Sequence, residues 1–189
     1  MHRYRADARD RLVADGLEAP VQETVPAVES REEPMTVWLG AAIVLGTVAG
    51  MEFVAGLTHR FVMHRWGWGW HRSHHQKRGR GLEKNDFYAL VFAVPALVLT
   101  AGTSPGGPAY WCGVGIAGYG ALYAVVHDGL AHRRFPLRVP VRTRYLRRLV
   151  AAHHLHHAGH SRDGCVSFGF LYAPPLAVLR ARLKEKAGR

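Results

Sequence analysis

Cysteine is nearly absent from this sequence. Cys112 and Cys165 are the only two in 189 residues and form no CxxC pair, which excludes a disulfide framework and implies a reducing setting. Their expected role is packing, as small hydrophobes. Carboxylates are scarce once the N-terminal stretch is passed. Residues 1–34 hold eight of the 14 acidic residues and five of the 25 basic ones, leaving six acidic against 20 basic residues for the remainder. Those 34 residues lack sustained apolar periodicity, contain Pro20, Pro26 and Pro34, and are predicted to be a disordered tail of mixed arginine and acid. They also lack the short apolar core of a secretory signal, and Met35 is a candidate start of translation. The chain has the length of one architectural unit, without room for a second domain.

Long apolar runs are present instead. Val37 to Leu57 reads VWLGAAIVLGTVAGMEFVAGL, with Glu52 as its only charge, and is long enough to cross a bilayer as a helix. From Phe87, FYALVFAVPALVLTAGT leads through the turn-forming SPGGP to YWCGVGIAGYGALYAVV, a predicted transmembrane hairpin ending at Val126. Gly113, Gly115, Gly118 and Gly120 are expected to let backbones approach closely there. Three such segments exceed a small soluble core, so the predicted fold is an all-α integral membrane bundle of three to four helices. The domain is expected over residues 35–180, followed by a basic C-terminal tail over 181–189. Gly164 to Leu179 is apolar but short and broken by Pro174 and Pro175; a fourth span, a re-entrant piece and an interfacial helix all remain open for it.

The net charge of +11 would suit a nucleic-acid binder, but the basic residues are interrupted by apolar runs. They concentrate between His59 and Lys84 and between His132 and Arg148, whereas the Ala101 to Ala109 loop has none. The positive-inside rule puts both basic stretches in the cytoplasm, which accounts for the charge without nucleic acid. The arginines of RRFPLRVPVRTRYLRR, residues 133–148, are expected to contact anionic lipid head groups.

Of the 13 histidines, all but His2 lie between residues 59 and 160. Four blocks stand out beside the apolar segments: HRFVMH (His59, His64), HRSHH (His71, His74, His75), HDGLAH (His127, His132) and HHLHH (His153, His156, His157). On an α-helix, the imidazoles of an HxxHH block span about 100° and can all point at one site, while His154 points away. A spacing of five advances about 140° on a straight helix, so an HxxxxH pair does not chelate one ion from it. Either it gives one ligand to each of two neighbouring ions, or it sits where the helix frays. Ten histidines are too many for one metal and suit two. Imidazole alone does not choose among iron, zinc, copper and nickel, but blocks without cysteine argue against a structural zinc knuckle.

The order HxxxxH, HxxHH, HxxxxH, HxxHH resembles the membrane fatty acid hydroxylase and desaturase superfamily. GWGWHRSHH, LEKNDFYALVFA, VVHDGLAHRRFP, YLRRLVAAHHLHHA and GCVSFGFLYAPP are similar to the bacterial β-carotene hydroxylases within it, over about Met35 to Leu179. His154 and the SRD region around His160 to Asp163 depart from that pattern without touching a motif histidine. The resemblance implies an O2-dependent di-iron monooxygenase of the bacterial inner membrane, with its metal site on the cytoplasmic side and electrons from a ferredoxin-type donor. It implies as ligands His59, His64, His71, His74, His75, His127, His132, His153, His156 and His157, and as reaction the hydroxylation of C3 of the β-ionone ring of a carotenoid. A carotenoid ketolase, a lipid desaturase and a non-catalytic membrane metal-binding protein are the alternatives.

Histidine ligands need acceptors behind them, and Asp128, Asp163, Glu52 and Asn85 are the candidates. For Glu52, a carboxylate within a span, a structural hydrogen bond and a place near the metal are both open. Asp86 is expected to cap the second apolar helix. Phe61, Trp66, Trp68 and Trp70 are candidates for packing on the substrate, with interfacial anchoring as the other role open to the tryptophans.

Overall fold

The structure, a computed structural model, describes residues 37–76, 81–135, 140–159 and 161–188. The expected tail over 1–34 and the candidate start at Met35 lie outside the described residues. Helix α1 spans Val37–Thr58 and runs directly into a π-helical segment, His59–Met63. After a turn come α2, Trp68–Gln76, and a short 3-10 helix, Lys84–Asp86, which leads into α3, Phe87–Ala101. Helix α4, Pro108–Tyr123, continues into a second π-helical segment, Ala124–Ala131. Two further helices follow, α5 over Arg144–His157 and α6 over Leu176–Ala187. No strand occurs among the described residues.

Three segments are long and apolar enough to cross a membrane: Val37–Met63, Lys84–Ala101 and Pro108–Ala131. Their large side chains point outward, Trp38 and Leu45 on α1 and Leu97 on α3 being 85%, 70% and 66% exposed, as suits helices solvated by lipid. The turn between α3 and α4 is the expected one: Gly106 takes φ +85° and Pro108 occupies the first turn of α4, where its missing N–H costs nothing. Helix α4 packs on both α1 and α3. Gly113 and Gly115 permit this, since a Cβ would fall 2.8 Å from Thr100 and 2.6 Å from Thr47 respectively. Gly118 and Gly120, expected to act alike, do not: a Cβ at either meets no atom within 4 Å.

The polar end of the bundle is closed by α2, α5, α6 and the segment between the last two. Thr143 caps α5, accepting from Leu146 N at 3.1 Å, and the helix buries Leu149 and Ala152 against Val166, Ala173 and Leu179. Residues 164–175 form neither a span nor a helix; regular structure resumes only at Leu176, after Pro174 and Pro175. This irregular strip is buried at Cys165, Val166, Phe170 and Ala173. Cys165 is a packing residue, its thiol pushed up to about 12 by burial. Residues 181–187, expected as a tail, form the second half of α6, where Lys186 donates to the Asp163 and Cys165 carbonyls at 3.2 and 2.6 Å.

Candidate metal centre

The two HxxxxH pairs solve their spacing problem through the π-helical segments. In each, a backbone bond reaches five residues back, from His64 N to His59 O at 3.1 Å and from His132 N to His127 O at 2.9 Å. Such a bond stacks residue i+5 over residue i, so both imidazoles of a pair face the same way. The sequence offered sharing between two ions or a frayed end; the structure instead gives each pair entirely to one group of histidines.

The HxxHH blocks do the opposite. His59, His64, His71, His75 and His156 form one group, and His74, His127, His132 and His153 a second, with the facing ring nitrogens of each group all within 4.8 Å of one another. The expectation that one HxxHH block points at a single site is therefore corrected. The i, i+4 pair His71 and His75 serves the first group while His74 serves the second; on α5, His153 lies in the second group and His156 in the first. His157 belongs to neither group and lies between them: its ring stacks on that of His75 at 4.3 Å and stands 4.8, 4.7 and 4.6 Å from those of His74, His132 and His153. Its Nε2 is buried without a hydrogen-bond partner. Each HxxHH block thus supplies both groups, and the wedge of about 100° between adjacent imidazoles separates them.

The Nδ1 atoms decide what the facing Nε2 atoms are. His59, His64 and His156 donate Nδ1–H to the carbonyls of Phe168 (3.0 Å), Arg162 (2.8 Å) and Val166 (3.0 Å). His71 donates to Asn85 Oδ1 at 2.7 Å, His74 to Glu83 Oε2 at 3.0 Å and His127 to Asp128 Oδ1 at 2.9 Å. Carbonyls and carboxylates only accept, so in all six residues the Nε2 atom carries a lone pair. These lone pairs face each other: His59 to His71 at 3.1 Å, His64 to His71 at 3.1 Å, His64 to His156 at 3.2 Å and His74 to His127 at 3.0 Å. Protonation does not relieve the repulsion. Burial holds His64, His74 and His156 below the ordinary imidazole range, and lowers His71 to about 4 and His75 to about 3. An electrophile between the nitrogens does relieve it. Two bonds of about 2.1 Å at a right angle hold their donor atoms about 3.0 Å apart, and a tetrahedral pair holds them about 3.4 Å apart. The observed contacts match the right-angled case, which suits a metal with five or six ligands rather than four.

The structure places some of the expected partners against the histidines and others elsewhere. Asn85 and Asp128 accept from His71 and His127 as anticipated. Asp163 does not reach a histidine; its side chain is 65% exposed and lies 3.7 Å from Arg65 and 3.5 Å from Arg162. The partner overlooked in the sequence is Glu83, with backbone carbonyls of the 162–168 strip doing the rest. Glu52 touches no histidine. It accepts from the backbone N–H groups of Phe170, Leu171 and Tyr172 at 2.9, 3.0 and 2.9 Å and from Tyr119 OH at 2.8 Å, pinning the irregular strip to α1. Asp86 makes no side-chain cap on α3. It accepts from Glu83 N at 2.8 Å and binds Arg134 through both oxygens at 2.7 Å. Arg134 also reaches Asp128 at 3.3 Å, so this arginine serves the site and not a lipid head group.

Of the aromatic candidates, Trp68 packs on the first group, 5.3 Å from both His64 and His75. Phe61 and Trp66 are 51% and 82% exposed, and Trp70 packs on Phe87 and Tyr88 away from the histidines. The aromatic residues against the groups are mainly others. Phe168 lies 5.2 Å from both His64 and His156, Phe170 stacks on His59 at 5.2 Å, and Tyr123 stacks on His127 at 4.4 Å.

Among the described residues, three membrane-length helices and two buried histidine groups that could each hold a metal ion define a membrane protein with a candidate metal site. The sequence matches the fatty acid hydroxylase family over residues 44–173, and the chain belongs to that family. It is 52% identical over 153 residues to the "Beta-carotene hydroxylase" of Pantoea ananas, covering 80% of this chain and 87% of that one. The protein of the same name from Paracoccus sp. (strain N81106 / MBIC 01143) is 52% identical over 144 residues, 75% of this chain and 89% of the relative. The "Beta-carotene 3-hydroxylase 2, chloroplastic" of Arabidopsis thaliana is 39% identical over 139 residues, 70% of this chain and 45% of the relative. No solved structure matches the chain.

Proposed function

We propose that this protein is a di-iron monooxygenase that hydroxylates β-carotene at C3 of its β-ionone rings, giving β-cryptoxanthin and then zeaxanthin. The observation that carries the reading is the pair of histidine groups with Nε2 lone pairs turned inward, in a chain about half identical to bacterial β-carotene hydroxylases. His59, His64, His71, His75 and His156 would hold one iron, and His74, His127, His132, His153 and His157 the other. Bound iron supplies the oxidising power that side chains lack, so that one atom of O2 enters an unactivated C–H bond while two electrons and two protons take the other to water.

The chain's own groups do the rest. Glu83, Asp128, Asn85 and the carbonyls of Arg162, Val166 and Phe168 keep the proton on Nδ1 and leave Nε2 free to bind metal. Trp68, Phe168 and Phe170 pack over the imidazoles and keep bulk water from them. The basic stretches that carry the histidine blocks favour a cytoplasmic position for the site on the inner membrane, where a ferredoxin-type donor can deliver electrons.

Expression in a β-carotene-producing bacterium tests the reading. Zeaxanthin is the expected pigment, and metal analysis of the purified protein is expected to give two iron ions per chain. Canthaxanthin would make the protein a ketolase instead, and unaltered β-carotene in cells whose protein carries iron would refute hydroxylation.

A further inference from the structure

Beside the histidines lies an apolar cavity of about 500 Å³ between α1, α3 and α4. Its wall on α3 runs from Tyr88 through Ala89, Ala93 and Ala96 to Thr100. Twelve residues of helix rise about 18 Å, so the cavity is a slot of that length along the bundle. Its lining is apolar over that length, so it accepts a hydrocarbon chain lying lengthwise along the helices.

The two ends of the slot differ. At one end stand Tyr123, Phe170 and Asp128. Tyr123 and Phe170 meet edge to face with centroids 4.8 Å apart, and each backs onto His127, Tyr123 at 4.4 Å and Phe170 at 5.4 Å. At the other end is Thr100, whose hydroxyl already donates to the Ala96 carbonyl at 2.8 Å. Ala89, Ala93, Ala117 and Gly120 line the slot and are exposed, so it opens sideways, where lipid would lie.

We propose that this slot is the substrate site: a long hydrocarbon chain enters laterally, lies lengthwise along α3 and α4, and presents one cyclic end to the Tyr123–Phe170 wall in front of the second histidine group. The proposal rests on the function proposed above and adds where its substrate is held. Both histidine groups lie at one end of the slot, so the far end of the chain is not read. Small residues line the slot on both helices, Ala93 on α3 and Gly120 on α4, and leave it open for a chain. Gly120 is the cleaner lever. A Cβ there meets no atom within 4 Å, so a larger side chain fills slot and displaces no packed neighbour. Gly118, on the same helix but not lining the slot, is equally free of neighbours and serves as the control.

The test compares wild type, Gly120→Leu, Gly118→Leu and Ala93→Leu, each as the full chain purified in mild detergent from cells that accumulate β-carotene. Pigment retained per chain is measured by absorbance on chelator-treated protein, and products and metal content are measured on untreated protein. Wild type and Gly118→Leu are expected to retain equal pigment. Gly120→Leu and Ala93→Leu are expected to retain at least tenfold less while keeping the wild-type metal content. Wild-type pigment retention and product yield in both narrowed variants would overturn the slot and leave the hydroxylase reading standing, as would loss of pigment in Gly118→Leu alone. Retained pigment in wild type, lost in both narrowed variants, with no hydroxylated product from any, would uphold the slot and overturn the hydroxylase reading.

Discussion

Glu52 holds the irregular strip to α1 through three hydrogen bonds and accepts a fourth from Tyr119 on α4, and that strip carries carbonyls and aromatic rings that pack on the first histidine group. Oε1 accepts from Phe170 N and Tyr172 N, and Oε2 from Leu171 N and Tyr119 OH. Glu52→Gln preserves the shape but puts an NH2 group where one oxygen stood. With the remaining oxygen kept on Phe170 and Tyr172, the Leu171 N–H faces a donor, while the Tyr119 hydroxyl can rotate to accept. A partly buried N–H without an acceptor costs roughly 1 kcal/mol, and turning two charge-assisted bonds into neutral ones removes roughly another 1 kcal/mol each. The total of about 3 kcal/mol is a little over a hundredfold in the local opening equilibrium. Hydrogen exchange with mass spectrometry should show the peptide covering residues 168–172 exchanging faster by that factor, with α3 unchanged. Metal should also leave to a chelator roughly 10- to 100-fold more readily, because the Phe168 carbonyl orients His59 and Phe170 packs on it. Wild-type exchange in the strip would refute the accounting. Faster exchange with wild-type metal retention would refute the link between strip and histidines.

Replacing any one of the ten proposed ligand histidines by alanine should abolish hydroxylation while leaving membrane insertion intact, whereas His154→Ala should stay active in the pigment assay, since its ring meets the Ala131 carbonyl and joins neither group. Glu83→Gln and Asp128→Asn should each weaken metal retention about 10- to 100-fold by a chelator-competition measurement, and Asp163→Ala should leave it unchanged. Metal-depleted protein should lose thermal stability as pH falls. Burial holds His71 and His132 near 4 and His75 near 3, so the unfolded chain takes up protons below about 6.5 that the folded chain refuses until about 4. A melting temperature constant from pH 7.5 to 5 would contradict this.

Length and hydropathy were enough to read the three membrane helices and the tight turn between α3 and α4, because a bilayer demands long apolar helices and little else in soluble proteins looks like them. The ten histidines were legible for the same kind of reason, as a residue type concentrated beyond any structural need. How they divide was not legible. An HxxHH block looks convergent until a second block arrives to pull its middle member the other way, and that is a tertiary fact. The π segments hide as well, since nothing in HRFVMH or HDGLAH separates a five-residue backbone bond from a four-residue one. Glu83 carried a readable signal, a carboxylate beside Asn85 in LEKND, but its contact with His74 is a tertiary fact. Composition left three readings open for residues 164–179; Val166 and Ala173 are buried against α5 and α6, and Phe170 against α1 and α4.

Ligands that are all neutral imidazole bring a problem that the scarcity of acids after Pro34 helps explain. Two divalent ions, as proposed, would add four positive charges to a poorly solvated site, and ten histidines would offset none of them. The compensation has to come from the layer outside. Of the six carboxylates after Pro34, four are placed there: Glu83 on His74, Asp128 on His127, Asp86 beside them through Arg134, and Glu52 on the strip that carries Phe168 and Phe170. Arg134 returns one positive charge, which leaves these groups short of full neutralisation by about one charge. Carbonyl dipoles of Arg162, Val166 and Phe168, each turned toward an imidazole N–H, act in the same direction. An irregular backbone strip at that depth therefore has an electrostatic use, since a helix would have spent those carbonyls on itself. The chain interrupts its helices where the metal charge must be met, with π segments on the ligand side and extended backbone on the acceptor side.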